Sequence, residues 1–236
     1  AAVASTITLA LVIGRALKLP DTLSLLVGSG TGICGASAVV AVDGVIRGRQ
    51  ADVACAIAMV TVFGTIAMFA YPAIAGALSL SEPVYAAWAG SSIHEVAQAV
   101  AAGFAFNDQA GVDASLYKLS RVALLAPVCG LLAVWVKQRS RQGSSDVPAR
   151  RSPFPLFVLA FVAVVVLNSV IDLPPGVHSL FTGADAALLS AAMVAMGLTT
   201  RLAAVVRMGW RPLALGALVA VWISGLSLAG AALIAG

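Results

Sequence analysis

The chain has 236 residues, 61% of them hydrophobic and only 10% charged, with a formal net charge of +4. A water-soluble domain carries about 25% charged residues, so this composition excludes one and places most of the chain in lipid. The basic residues sit in short loops between apolar runs without interleaved aromatics, which excludes a nucleic-acid surface and fits the cytoplasmic excess of Lys and Arg in membrane proteins.

The apolar runs are continuous rather than alternating, so they predict an all-α polytopic membrane protein and not a β-barrel. A helix needs about 20 apolar residues to cross a bilayer. About eight segments follow in chain order: 1–17, 22–42, 53–78, 84–104, 116–136, 154–171, 181–200 and 212–235. The first opens AAVASTITLALVIG, without Met or a basic n-region. It reads as a membrane segment cut at its start, not a signal peptide. Residues 1–236 then form a single transmembrane domain, the C-terminal portion of a longer protein.

Segment 22–42 holds VGSGTGICGASAVV, with Gly28, Gly30, Gly32 and Gly35 close together. Each glycine costs about 1 kcal/mol in a helix interior, so a break is predicted. Residues 30–35 match GxGxxG, but no strand precedes them, which excludes a dinucleotide loop. Two readings remain. The glycines pack helices closely, or they form a loop whose N–H groups, with the Thr31 and Ser37 hydroxyls, face an anion. In the second case a helix restarting near Ala36 points its positive end at the anion. Cys34, Cys55 and Cys129 lie scattered in apolar stretches and suggest no disulfide framework.

Segment 84–104 holds AGSSIHEVAQAVAAG. Ser92-Ile-His-Glu95 reads as a capping box, S-x-x-E, which starts a helix in mid-segment. Ser91 with Glu95, and His94 with Gln98, are spaced to share helix faces. An ionisable group inside a bilayer is costly and marks function by default. His94 and Glu95 are therefore candidates for proton coupling or gating. HE without a second His four residues on is not a zinc motif, and no metal or cofactor is expected.

Loop charge sets the topology. Arg15, Lys18, Arg47 and Arg49 flank segment 22–42, so both its ends read as cytoplasmic. Glu82, Asp108 and Asp113 flank segment 84–104, so both its ends read as external. These two segments are predicted to be broken or re-entrant, from opposite faces. The linker 137–152, KQRSRQGSSDVPARRS, is a cytoplasmic basic loop. Lys118 and Arg121 fall near the external start of 116–136. Arg121 either snorkels to the surface or pairs with Glu95 or an anion. Asp185 is a secondary candidate, read first as a helix-start charge. No nucleophile–base–orienter set is visible, so the chain is not read as an enzyme.

GSGTGICGASAVVA, VFGTIAMFAYPAI, GSSIHEVAQAVAAG, RVALLAP and MGLTTRL, in this order, resemble the YeiH-like family of bacterial inner-membrane proteins. That resemblance implies a multi-pass inner-membrane protein of the kind labelled sulfate exporter. It places motif positions at Gly30, Cys34, Gly35, Ser37, His94, Glu95 and Gln98. The expected function is a secondary transporter for a small anion, sulfate or an organic sulfonate or carboxylate. Gly30, Thr31, Cys34, Gly35, Ser37, Ser91, Ser92 and Gln98 are the expected substrate contacts, and His94 and Glu95 the proton-coupling pair. The alternatives are an ion channel with a re-entrant filter or a non-transporting membrane subunit. The expected partners are the lipid bilayer, a small anion and protons, and a homo-oligomer is compatible with these features.

Overall fold

The computed structural model describes residues 2–142 and 209–235, with isolated positions between 163 and 195. Segments 154–171 and 181–200, and the side chains of the basic linker beyond Gln138, are not described as elements. Every ordered element among the described residues is a helix: α1 (Ala2–Ala16), α2 (Asp21–Gly32), α3 (Ala36–Ile46), α4 (Gln50–Ala77), α5 (Glu82–Ser92), α6 (Val96–Phe104), α7 (Asp108–Ala123), α8 (Leu125–Gln142) and α9 (Trp210–Ala235).

Among the described residues, three stretches are long and apolar enough to cross a bilayer: Gln50–Ala77, Asp108–Gln138 and Trp210–Ile234. The second joins α7 to α8 through a kink at Leu124. Pro127 sits in the first turn of α8, where its missing N–H is harmless. This span begins eight positions earlier than the predicted 116–136. Its apolar half alone signalled a membrane segment, because α7 is nearly neutral in hydrophobicity. The helix also continues through Gln142, into the stretch read as a loop from 137 onward.

Segment 22–42 breaks at residues 33–35. Gly35 has φ 72° and ψ −134°, a backbone conformation that side chains disfavour. A Cβ there would also stand 2.1 Å from Glu95 Oε1. The break reverses the chain. Thr22 Oγ1 donates to Asp52 Oδ2 at 3.0 Å, and a Cβ on Gly30 would lie 2.8 Å from Val60 Cγ1. So α2 and α4 run parallel, side by side, and α3 must carry the chain back between them. At 11 residues, or about 17 Å, α3 matches the rise of the 12-residue α2. Packing is close because small residues line the faces: Gly28 of α2 sits against Ala10 and Ile7 of the antiparallel α1.

Segment 84–104 breaks at 93–95 and reverses in the same way. At its open end Asn107 Nδ2 donates to Glu82 Oε2 (3.0 Å). Tyr85 OH donates to Ala102 O (2.7 Å), and the Tyr85 and Phe106 rings stack at 4.4 Å. Asn107 Oδ1 then caps α7 by accepting from Ala110 N at 2.7 Å. α7 runs parallel to α5, with Gly90 against Ala114 and Tyr117.

Helix α4 orders the two hairpins. Its first half lies along α2. Further on, Tyr71 stacks on Trp88 of α5 at 3.9 Å. Gln98 of α6 reaches Thr61 and Thr65 at its middle. The hairpins therefore open toward opposite ends of α4, and their tips meet beside Thr61–Thr65. Two apolar clusters follow this division. One gathers Leu26, Val39, Val42 and Met59 around the first hairpin, the other Tyr71, Tyr85, Trp88 and Ala102 around the second.

A few positions of the two halves also coincide in sequence. Gly30, Thr31, Ile33, Val40 and Ala41 match Gly90, Ser91, Ile93, Val100 and Ala101, each pair 60 positions apart. The order helix, break, returning helix, long parallel helix is the same in both, with opposite sense along α4. This is the arrangement of an inverted repeat.

Cysteines placed at Thr22 and Asp52 are expected to be joined by a short thiol cross-linker. Broken helices that crossed instead of folding back would separate these positions by roughly 30 Å or more, and no cross-link would form.

Candidate functional site

A helix that ends away from water leaves carbonyls unpaired at its C-terminus and N–H groups unpaired at its N-terminus. The two tips contain four such ends. The C-termini of α2 and α5 and the N-termini of α3 and α6 all converge beside the middle of α4. Each carries roughly half a unit of charge, negative for C-termini and positive for N-termini.

Arg121 of α7 serves both C-termini and is 6% exposed. Its Nε donates to Gly32 O and its Nη2 to Thr31 O, both at 3.0 Å. Nη2 also bonds Gly32 O, and Nη1 bonds Ser91 O. The expectations that Arg121 snorkels or pairs with Glu95 are both corrected. It stands 13 residues, about 20 Å, into a helix that starts at Asp108. No surface is in reach, and backbone carbonyls occupy its donors.

Lys118, one turn earlier on the same face, is fully buried. Its Nζ donates to Ile93 O at 2.5 Å. It forms no ion pair among the described residues. The reading of the sequence missed it. The signal was present, since Lys118 and Arg121 are spaced i, i+3 in one membrane segment. The misplaced start of that segment hid it.

Glu95 serves the N-termini. It is 5% exposed. It is the N-cap of α6, and its Oε1 accepts from Ala36 N at the start of α3, at 2.5 Å. From the cap position of α6, one carboxylate thus bonds the amide start of α3 and ties tip to tip. The helix start predicted at Ser92 is corrected by three residues. The box is Glu95-Val-Ala-Gln98, with Gln98 Oε1 accepting the Glu95 N–H at 3.4 Å. Ser92 is the last residue of α5, and its Oγ donates to Trp88 O at 2.6 Å. Ser91 Oγ likewise bonds Ala87 O. The Ser91 hydroxyl is turned into its own helix, and the Ser92 hydroxyl also lies 3.2 Å from Tyr71 OH of α4. Because residues 93–95 are not helical, the spacings Ser91–Glu95 and His94–Gln98 do not define shared helix faces.

The remaining candidates sort as follows. Gln98 clamps the second tip to α4, its Nε2 donating to Thr65 Oγ1 (3.0 Å) and Thr61 O (3.2 Å). His94 is 2% exposed, and its Nδ1 has no hydrogen-bond partner among the described residues. Cys34 is a buried free thiol at the first tip. Thr31 contributes its carbonyl, and Gly30 and Gly35 contribute room. Ser37 is exposed and is not among the residues brought together at the tips. The N-terminus of α3, expected to face an anion, meets the Glu95 carboxylate instead. Asp185 lies outside the described residues.

Replacing Arg121 by Met would leave the Thr31 and Gly32 carbonyls without their donor and Ser91 O with Ser227 Oγ alone. At about 1–3 kcal/mol for each unpaired group, a loss of roughly 3 kcal/mol or more is expected. In a thermal melt of the purified protein that is a fall of about 6–12 °C, against almost none for Ser37→Ala. Equal melting of the two variants would remove Arg121 from this role.

The chain matches the family model described as Conserved hypothetical protein 698 over residues 1–216. It is 40% identical over 227 residues to the UPF0324 membrane protein PA5383 of Pseudomonas aeruginosa, covering 93% of this chain and 64% of that protein. It is 38% identical over 222 residues to the UPF0324 inner membrane protein YeiH of Escherichia coli K12, covering 93% of this chain and 63% of YeiH. A UPF0324 membrane protein of Corynebacterium glutamicum is 38% identical over 221 residues, with the same coverage. The chain thus spans a little under two thirds of the length of these relatives. No solved structure matches it. With its long apolar helices and its broken, charge-bearing hairpins, the chain belongs to the UPF0324 (YeiH) family of multi-pass bacterial inner-membrane proteins.

Proposed function

We propose that the protein is a secondary transporter that exports a small anion, sulfate or an organic sulfonate or carboxylate, with His94 and Glu95 coupling the movement to protons. The observation that carries this reading is the meeting of two broken hairpins, from opposite ends of a membrane-length helix, around Glu95, Lys118, Arg121 and His94. Irregular backbone at membrane depth survives only where protein or a water-filled cavity shields it. Buried charges there are costly and mark ion or substrate paths. Secondary transporters build midplane sites from half-helix ends of this kind.

Charge at the open ends supports opposite sidedness. Arg15, Lys18, Arg47, Arg49 and Lys137 gather where the first hairpin opens, and Glu82, Asp108 and Asp113 where the second opens. By the positive-inside bias the first end is cytoplasmic. Both hairpins are then re-entrant. Moving one repeat against the other would expose the tips to each side in turn. A channel reading is less favoured because Glu95 and Ala36 hold the tips in contact.

Two measurements test this. Labelled sulfate flux into proteoliposomes of the full-length protein should follow an imposed proton gradient and be lost in Glu95→Gln. Flux indifferent to both would remove proton coupling through Glu95, and no flux of any small anion would remove the transporter reading. Single cysteines at the exposed Gln50 and Gln109 should be labelled from opposite faces of the membrane. Labelling from one face would rule out the re-entrant arrangement.

A further inference from the structure

The charges at the tips can be paired off one by one. Arg121 bonds carbonyls at the C-termini of α2 and α5. Together those ends carry roughly one negative unit, which its single positive charge offsets. Glu95 bonds the N-terminus of α3 and caps that of α6. Together those carry roughly one positive unit, which its carboxylate offsets. Lys118 remains. Its ammonium has three donors, and one of them goes to Ile93 O. It is fully buried and has no ion-pair partner among the described residues. When protonated, Lys118 therefore gives the tips one positive charge that no described residue pairs, on a group with one of its three donors bonded to Ile93 O. Arg121, held by three carbonyls, has little to offer a ligand.

The geometry assigns Lys118 as the substrate-binding cation and sets the ligand at one net negative charge: a monovalent sulfonate or carboxylate binds as it is, and sulfate binds only together with one proton, taken up by Glu95. This rests on the anion-transport reading above. With Glu95 protonated the uncompensated charge rises to two, which matches the sulfate dianion. Ionised, the same carboxylate repels the second charge of sulfate. Among the described residues, the other titratable or charged groups around Glu95 and Lys118 are Cys34 from the first tip, His94 from the second and Arg121 from α7. The inverted repeat is unequal here. The positions of the first half that match Lys118, Arg121 and Glu95 are Ala58, Thr61 and Gly35, so the second half alone supplies the charge.

The test is calorimetric titration of the purified full-length protein with methanesulfonate and with inorganic sulfate, in buffers of different ionisation enthalpy. Sulfate binding is expected to take up about one proton and methanesulfonate none. Glu95→Gln should bind sulfate without proton uptake. Lys118→Gln should bind neither anion while eluting and melting as a folded protein, and Lys118→Arg should keep the proton count with altered affinity. If Lys118→Gln does not fold, the proton counts of the native protein and of Glu95→Gln decide alone. Equal proton uptake for the two anions, or native-like binding by Lys118→Gln, overturns the assignment while leaving anion transport standing. No binding of either anion by the native protein, with no flux, overturns both.

Discussion

The structure depends on ending four helices away from water. A helix terminus strands up to four backbone groups, and in an apolar surround each unpaired group costs about 1–3 kcal/mol. Two side chains meet part of that demand across both tips: Arg121 bonds carbonyls at the ends of α2 and α5, and Glu95, at the cap of α6, bonds the amide start of α3. Both reach across from one hairpin or its neighbour to the other. The tips are therefore held to each other by the same bonds that let them exist. Removing either group would both unpair backbone and part the tips, which is why their charges cannot be treated as ligand-binding equipment alone.

The two halves divide the work. The second repeat supplies the long side chains His94, Glu95, Gln98, Lys118 and Arg121. The first supplies backbone and space. Gly35 leaves the room that the Glu95 carboxylate fills, and Gly64 of α4 leaves room for Gln98 and His94, where a Cβ would lie 2.1 Å from Gln98 Oε1. A duplicated fold with unequal filling gives one charged site on a pseudo-twofold scaffold.

Much of this was legible in the sequence. Four glycines within eight positions announced the first break, and an S-x-x-E signature inside an apolar run announced the second. The loop charges gave both ends of each broken segment the same side. What was not legible depended on pairing across the chain. The capping box lies three residues later than its signature because Ser92 bonds back to Trp88 and completes α5 first. Lys118 and Arg121 looked superficial because the first half of α7, with few strongly apolar residues, did not register as part of the membrane span and left both near its start. Ser37 looked like a ligand group from its place beside Gly35, but its position on α3 turns it outward. The repeat escaped notice because only small and aliphatic residues are shared at the matched positions, and such matches are common in any apolar chain.

The central claim is that both hairpin tips meet at the midplane and hold a small anion there. The most direct measurement is a cryo-electron-microscopy structure of the full-length protein in a lipid nanodisc with sulfate at low pH. The account predicts a lipid belt centred on Thr61–Thr65, hairpins opening on opposite faces, and density within hydrogen-bond distance of Lys118 Nζ. A hairpin that crosses the belt completely, or tips lying at its surface, would contradict it.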